Sequence, residues 1–367
     1  MLPQSTEYTK FILPSKLDLE ISSFHPFHIF LISLPFKKLR LMILSKVSRA
    51  EVMNHVSNYL LEAMPEFLKP INENWQPADF LPDSSKDSFF ADVKQLQERA
   101  KDLSYDLMAV LIGDTITEEA LPTYESWLFA LDYADRSEDS GWIKWVRGWS
   151  AEENRHGDLL NKYLYLSGRV DMAKMETSTQ FLIADGFDIQ TGMDPYRNFV
   201  YTSFQEMATN VSHRRVAQFA KQDGDTLLAK ICGQIAADEM RHAKAYKSFV
   251  TKIFEVDPSE MMIALEDMMR KKIVMPAHYL REMGLKVGET YGHFTDAAQR
   301  LGVYTASDYT DILKSLIVEW ELEKIQQLNE AGEKARDYVL ALPERLVRVA
   351  ERMKTPTLQY KFSWIHG

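Results

Sequence analysis

The sequence predicts an all-α fold built around a four-helix bundle, and three observations carry that prediction. Apolar residues recur at helical spacing along most of the chain. Glycine and proline are sparse, 15 and 14 in 367 residues, so few positions break a helix or demand a turn. The third observation is a repeat: Ala151-Glu152-Glu153-Asn154-Arg155-His156 and Ala237-Asp238-Glu239-Met240-Arg241-His242 both read Ala-acid-Glu-x-Arg-His. At about 3.6 residues per turn, Glu153 and His156 leave one helix face, as do Glu239 and His242. A Glu-x-x-His pair on each of two helices, with a single Glu from each of two others, is the ligand set of a di-iron or di-manganese bundle. Glu118, 35 residues before Glu153, and Glu206, 33 before Glu239, supply the single glutamates. Two similar halves would then enclose two metals.

In chain order, the apolar run near His28 to Phe36 is too short to span a membrane. Residues 1–48 hold only Glu7, Asp18 and Glu20 as acids, and read as a transit peptide or a divergent amino-terminal extension. Ser48 to Leu68 reads as an amphipathic helix closed by Lys69-Pro70, followed by a proline-set loop from Asn74 to Asp83. Asp87 to Ser104 has a helical stripe of Phe90, Val93, Leu96 and Ala100. Tyr105 to about Asp132 reads as one buried helix kinked at Pro122, one turn past Glu118. Trp142 to Leu166 is the first Glu-x-x-His helix, with Trp145 and Trp149 on the ligand side, and Gly168 ends it. Asp194-Pro195 opens the helix carrying Glu206, Thr209 and His213 to about Gln222. After Gly224, the second Glu-x-x-His helix runs from Asp225 to about Val256. A helix from Ser259 to Met275 ends at Pro276, and Ala306 to Met353 reads as two or three flanking helices.

Several neighbours of the repeat have two readings. Glu152 and Asp238 could accept the second N–H of a metal-bound imidazole across the bundle, or pair with Arg155 and Arg241 at the surface. His213 lies two turns, about 10 Å of rise, from Glu206, too far to share its ion, and reads as structural. Cys232 reads as a small core residue. As the one cysteine, it leaves no intrachain disulfide and fits a reducing compartment. A net charge of −10 without a basic run argues against nucleic-acid binding.

Gly113-Asp114-Thr115-Ile116-Thr117-Glu118-Glu119-Ala120-Leu121-Pro122-Thr123-Tyr124 makes a resemblance specific: the chain is similar to the plant soluble acyl-acyl carrier protein desaturases, the stearoyl type. Trp75-Gln76-Pro77, Ala151 to Val170, Tyr201 to Glu206, Ile235 to His242, Asp267 to Ile273 and Arg300 to Ala306 extend it over about Trp75 to Ile365. The resemblance implies a ferritin-like helical domain over residues 49–367, working in the plastid stroma as a homodimer. It implies two Fe2+ held by Glu118, Glu153, His156, Glu206, Glu239 and His242, with Glu153 and Glu206 placed to bridge or chelate. It further implies an electron path through Trp75 and Asp238 to His156, and a role for Thr209 in the oxygen chemistry. Met207 and Asn210 stand where stearoyl-type enzymes usually carry a basic and an aromatic residue.

The expected activity is insertion of a cis double bond, most readily near C9, into a saturated acyl chain on acyl carrier protein, using O2 and electrons from ferredoxin. Arg270-Lys271-Lys272 is the clearest basic cluster for docking acidic partners, and reads equally as a solvated helix end. By resemblance Trp127, Ala130 and Leu131 line the deep end of the acyl channel. Trp127 replaces a slimmer Met, which points to a shorter chain or a shifted double bond unless Ala130 makes room for the indole. The rival class is a ferritin-like iron-binding or ferroxidase protein, for which the chain is about twice the needed length. A ribonucleotide reductase subunit would need a tyrosine about one turn beyond the first histidine, where Leu159 and Leu160 stand.

Overall fold

Four capped helices form the centre of the computed structural model, which describes residues 36–366, with side chains from Arg49 onward. The chain divides into Met1–Ser45 and Lys46–Gly367, and the first unit contributes only the opening residues of a helix to the described part. The expected transit peptide and the apolar run near His28 lie outside the residues whose side chains are described.

The helices are α1 (Phe36–Phe67), α2 (Phe89–Ala100), α3 (Tyr105–Glu118), α4 (Leu121–Ala130), α5 (Gly141–Ser167) and α6 (Met172–Asp185), then α7 (Pro195–Gln222), α8 (Thr226–Val256), α9 (Pro258–Lys271), α10 (Tyr291–Leu301), α11 (Ala306–Glu319) and α12 (Glu330–Ala350). The central four are α3, α5, α7 and α8. Each begins at a residue whose side chain accepts a hydrogen bond from the first turn: Ser104, Ser140, Asp194 and Asp225. That contact satisfies backbone N–H groups that have no partner inside the helix. Gly168, at φ 68°, ends α5 in the left-handed conformation that a Cβ disfavours.

The four helices close a ring, α3 touching α5 and α7, and α8 touching the same two. α7 and α8 form a hairpin, whereas α6 lies in the long connection from α5 to α7, the crossover topology of ferritin-like bundles. α9 and α11 pack on α7, α12 packs on α9 and α11, and α10 lies on α3. Among the described residues, β pairing is limited to an isolated bridge, Val170 with Ile365. There the carboxy-terminal segment straps down with Trp364 buried and its indole donating to Ser178 at 2.9 Å. No helix of the described part is long and apolar enough to cross a membrane.

Four elements differ from the sequence expectation. The helix expected from Tyr105 to about Asp132 breaks after Glu118, and Pro122 sits in the first turn of α4. Pro122 cannot donate to the Glu118 carbonyl, and its ring crowds that carbonyl, so the chain restarts instead of kinking. α9 stops at Lys271, short of the expected Met275, because Lys272 turns into positive φ (65°). α6 and α10 were not expected; the mixed polar sequence Ala173 to Gln180 carries little periodicity. The tail resolves into two helices, α11 and α12.

Candidate metal centre

Glu153 and His156 face inward from the middle of α5, and Glu239 and His242 from the middle of α8. Glu206 joins them from α7, and Glu118 from the last residue of α3. Ligand atoms of Glu118, Glu153, His156 and Glu239 lie within 4.8 Å of one another, as do those of Glu153, Glu206 and His242. Glu153 belongs to both groups; Glu206 belongs to one. His156 Nδ1 is 3.1 Å from Glu153 Oε2 and 3.0 Å from Glu239 Oε1. His242 Nδ1 is 2.6 Å from Glu153 Oε1 and 3.7 Å from Glu206 Oε2.

Behind the histidines, each half serves the other. His242 Nε2 lies 3.0 Å from Glu152 Oε2 of α5, and His156 Nε2 lies 3.5 Å from Asp238 Oδ2 of α8. The hydrogen bond at His242 Nε2 turns its Nδ1 toward the cluster and selects the tautomer, whereas Asp238 faces His156 Nε2 as an ion-pair partner without a hydrogen bond. The arginine pairing that competed with this reading coexists with it: Arg241 donates to Glu152 at 2.8 Å and to Asp238 at 2.6 Å. The loop after α1 is tied to the same acids. Glu152 Oε1 accepts from Lys69 N and Asn74 Nδ2, both at 2.9 Å, and Asp238 Oδ2 accepts from Trp75 Nε1 at 2.8 Å. Trp75 also stacks on His156, its ring 6.1 Å away and 8° from parallel.

The donor set fits cations. Glu153 Oε1, Glu206 Oε2, Glu239 Oε1 and both Nδ1 atoms are buried without a hydrogen-bond partner, an arrangement that is costly unless something positive satisfies it. The protein's own charges agree. Burial would lift Glu153, but the facing His156 and His242 outweigh it and hold its carboxyl at about 2. Burial pushes Glu118 up to about 6, moderated by His213. At His242 burial opposes the charged ring, yet Glu153 and Glu152 raise it to about 9. Burial, with Glu153 and Glu239 nearby, lifts Glu206 well above the carboxylate range. The cluster thus holds protons that arriving cations would displace.

A cavity of about 690 Å³ runs from this cluster to the surface. Glu118, Glu153, Glu239 and Thr209 lie at one part of its wall, and Arg270, Lys271 and Lys272 at another. Between them the lining is largely apolar, including Val110, Leu121, Phe204, Ile273 and Leu342. The early end of α9 makes residues 272–276 a wall of this cavity. Thr209 hydrogen-bonds to Glu239 Oε2 and to the Glu206 carbonyl, the latter at 3.1 Å. Trp127, Ala130 and Leu131 are not among the lining residues. Trp127 is half-buried on α4, its ring 4.8 Å from Phe187 and 6.2 Å from Tyr124, which does line the cavity. Met207 is half-buried, and the Asn210 amide donates to the Ala236 carbonyl at 2.6 Å.

At the surface, Arg270 pairs with Glu266 and lies over Tyr338, and Lys271 pairs with Asp267. Lys272 makes no ion pair among the described residues. For Trp149, expected on the ligand side, and His213, expected to be structural, the contacts themselves escaped the sequence reading. Trp149 Nε1 donates to Glu206 Oε1 at 3.0 Å, and His213 Nε2 lies 2.9 Å from Glu118 Oε1. Both contacts cross between helices, and no spacing within one helix signals them.

A sequence model of the family described as fatty acid desaturase matches residues 48–366. The chain is 48% identical over 327 residues to stearoyl-[acyl-carrier-protein] 9-desaturase 1, chloroplastic, of Arabidopsis thaliana, covering 87% of this chain and 82% of that one. It is 50% identical over 323 residues to the stearoyl-[acyl-carrier-protein] 9-desaturase, chloroplastic, of Spinacia oleracea, covering 86% and 80%. It is 47% identical over 325 residues to palmitoyl-[acyl-carrier-protein] 4-desaturase 3, chloroplastic, of Ophrys sphegodes, covering 87% and 81%.

Proposed function

The chain belongs to the fatty acid desaturase family, and on that premise we propose that it inserts a cis double bond into a saturated acyl chain held on acyl carrier protein in the plastid. The observation that carries this reading is the cavity joining a basic surface cluster to a buried carboxylate–histidine cluster through apolar walls. An alkyl chain offers no polar handle, so its reacting carbons are selected by position alone, and a shaped apolar channel supplies that selection.

The cofactor in this reading is a pair of iron ions. Glu118, Glu153, His156 and Glu239 would hold one, and Glu153, Glu206 and His242 the other. Bound iron would supply the O2 reduction and C–H cleavage that no side chain here can perform. The protein's part is positional. Glu152 holds the Nε2 side of His242 and Asp238 faces that of His156, and Trp149 orients Glu206. Thr209, bonded to Glu239 and on the cavity wall, can hold or pass a proton beside the reacting chain.

Electron balance implies a second partner. Removing two hydrogens from the chain supplies two of the four electrons that convert O2 into two waters, so two more come from outside. Ferredoxin, delivering them singly, is the donor in this proposal. Trp75, half-buried and bonded to Asp238 against His156, supports an entry point there. Phe80 packs on Trp75 with Lys230 above it at 5.0 Å, and exposed Lys69 lies in the same loop, a setting for an acidic protein. Arg270 to Lys272 would receive acyl carrier protein at the cavity mouth. The family resemblance extends the proposal to a homodimer, which sedimentation tests.

The relatives named for stearoyl and palmitoyl chains match at 48% and 47%, so chain length is argued from the cavity. Its lining reaches Leu121 and Tyr124 but not Trp127, which packs with Phe187 against Tyr124. That favours chains shorter than stearoyl, or a double bond shifted from C9.

The test loads the protein anaerobically with Fe2+, then supplies O2, reduced ferredoxin and acyl carrier protein bearing myristoyl, palmitoyl or stearoyl chains. Expected are about two irons per chain and a monounsaturated product. Glu206→Ala or His242→Ala should lose iron and product together; two irons and full activity in either variant refute the site. Iron uptake and oxidation without acyl product would favour the ferroxidase reading.

A further inference from the structure

Glu118 is the one member of the cluster that sits at a helix end. Glu153, His156, Glu206, Glu239 and His242 lie within long helices, whereas α3 stops at Glu118 and the chain breaks before α4. Helix ends lack partners for their last carbonyls and fray, yet a metal ligand must be held within about 0.5 Å. Something other than α3 has to hold Glu118.

Two successive residues of α7 do so. Ser212 donates its hydroxyl to Asp114 Oδ2 at 2.9 Å, and His213 Nε2 lies 2.9 Å from Glu118 Oε1. Asp114 and Glu118 are one turn apart on α3, so α7 grips its final turn at two points. His213 is 1% exposed, and its Nδ1 is buried without a hydrogen-bond partner, with Cys232 of α8 nearby. With Oε1 held, Glu118 Oε2 faces His156, 3.8 Å from Nδ1. Glu206, the matching ligand of the other half, is held instead by the Trp149 indole in mid-helix.

We infer that His213 is a positioning residue for Glu118, fixing the orientation of its carboxylate and so governing occupancy of the Glu118–His156–Glu239 position but not of its neighbour. The inference rests on the metal reading above. It makes the two positions unequal: the one beside Glu118 depends on an inter-helix contact, and the one beside Glu206 and His242 does not depend on that contact.

The test is a Co2+ titration of the full chain, stripped of metal with a chelator and followed by calorimetry and visible absorbance. Wild type should take up two equivalents. His213→Asn, polar enough for burial but too short to reach Glu118, should keep one tight equivalent and weaken the other about tenfold or more. His213→Gln, whose amide reaches about as far as Nε2, should restore two. Helix content by circular dichroism should be the same in all three. His213→Leu serves as the apolar counterpart of His213→Asn. Two equivalents within twofold of wild type in the Asn and Leu variants overturn the inference, as does equal loss in Asn and Gln. Wild type that binds no Co2+ overturns the metal reading itself, and this inference with it.

Discussion

Gly157, the residue after His156, packs closely against the end of α3, and Gly157→Ala tests how that approach is used. A Cβ there would sit 3.1 Å from Glu119 Cγ and 3.2 Å from both Glu118 C and Glu119 N. Contacts this short require the neighbour to give by a few tenths of an ångström. The Glu119 side chain has little freedom to do so, since Asn161 donates to it at 2.7 Å and Thr179 at 3.3 Å. The shift therefore falls on the backbone that carries Glu118. Two effects of opposite sign compete. Replacing a mid-helix glycine by alanine stabilises by about 1 kcal/mol, while overpacking a close contact costs about 1–3 kcal/mol. The expected net is a loss of about 0–2 kcal/mol, seen as a thermal midpoint lower by up to a few degrees. Displacing Glu118 should also weaken Co2+ or Fe2+ at its position. Melting curves by circular dichroism and a metal titration read the two effects separately. An alanine variant stabilised by the full ~1 kcal/mol, with metal affinity unchanged, would refute the close-approach argument.

Charge reversal at Arg270, Lys271 and Lys272 should raise KM for acyl carrier protein substrates and flatten its salt dependence. Lys272, without an ion pair, should contribute most, and an unchanged KM across ionic strengths places docking elsewhere. Trp127→Met should move the preference on the myristoyl, palmitoyl and stearoyl ladder toward longer chains, each added methylene carrying about 0.8 kcal/mol of burial. A wild type that already prefers stearoyl, with no change on substitution, ends that idea. Asp308 gives a pH prediction away from the metal cluster. Burial raises its pKa, but a two-pronged contact with Arg215 at 2.6 and 2.7 Å outweighs it and leaves the carboxyl below its usual value. A lowered folded pKa means the stabilisation is present above the unfolded value, near 3.9, and is lost as pH falls through the folded one. Asp308→Asn should therefore be less stable than wild type at pH 7 and converge with it in acid; a gap that persists at pH 2 contradicts the assignment.

What the sequence determined alone is what repeats within single helices. Glu153 with His156, and Glu239 with His242, share faces because three residues make nearly one turn. The caps at Asp194, Asp225 and Gly168 mark ends because their chemistry acts within one turn. Asp238 and Glu152 could be singled out beside the histidines, but their partners were open. Only the tertiary structure decided that Glu152 serves His242 and Asp238 serves His156, with Arg241 on both acids. His213 shows the limit most clearly. Its distance from Glu206 along α7 marked it as structural, yet its contact is Glu118, on another helix. Pro122 reads from the sequence as a kink within one helix, but it opens a new one, since a proline can do either. The rotation of each helix about its axis settles such contacts. That rotation is set by packing over the whole bundle, as where Gly157 lets α3 and α5 close, and local spacing carries no record of it.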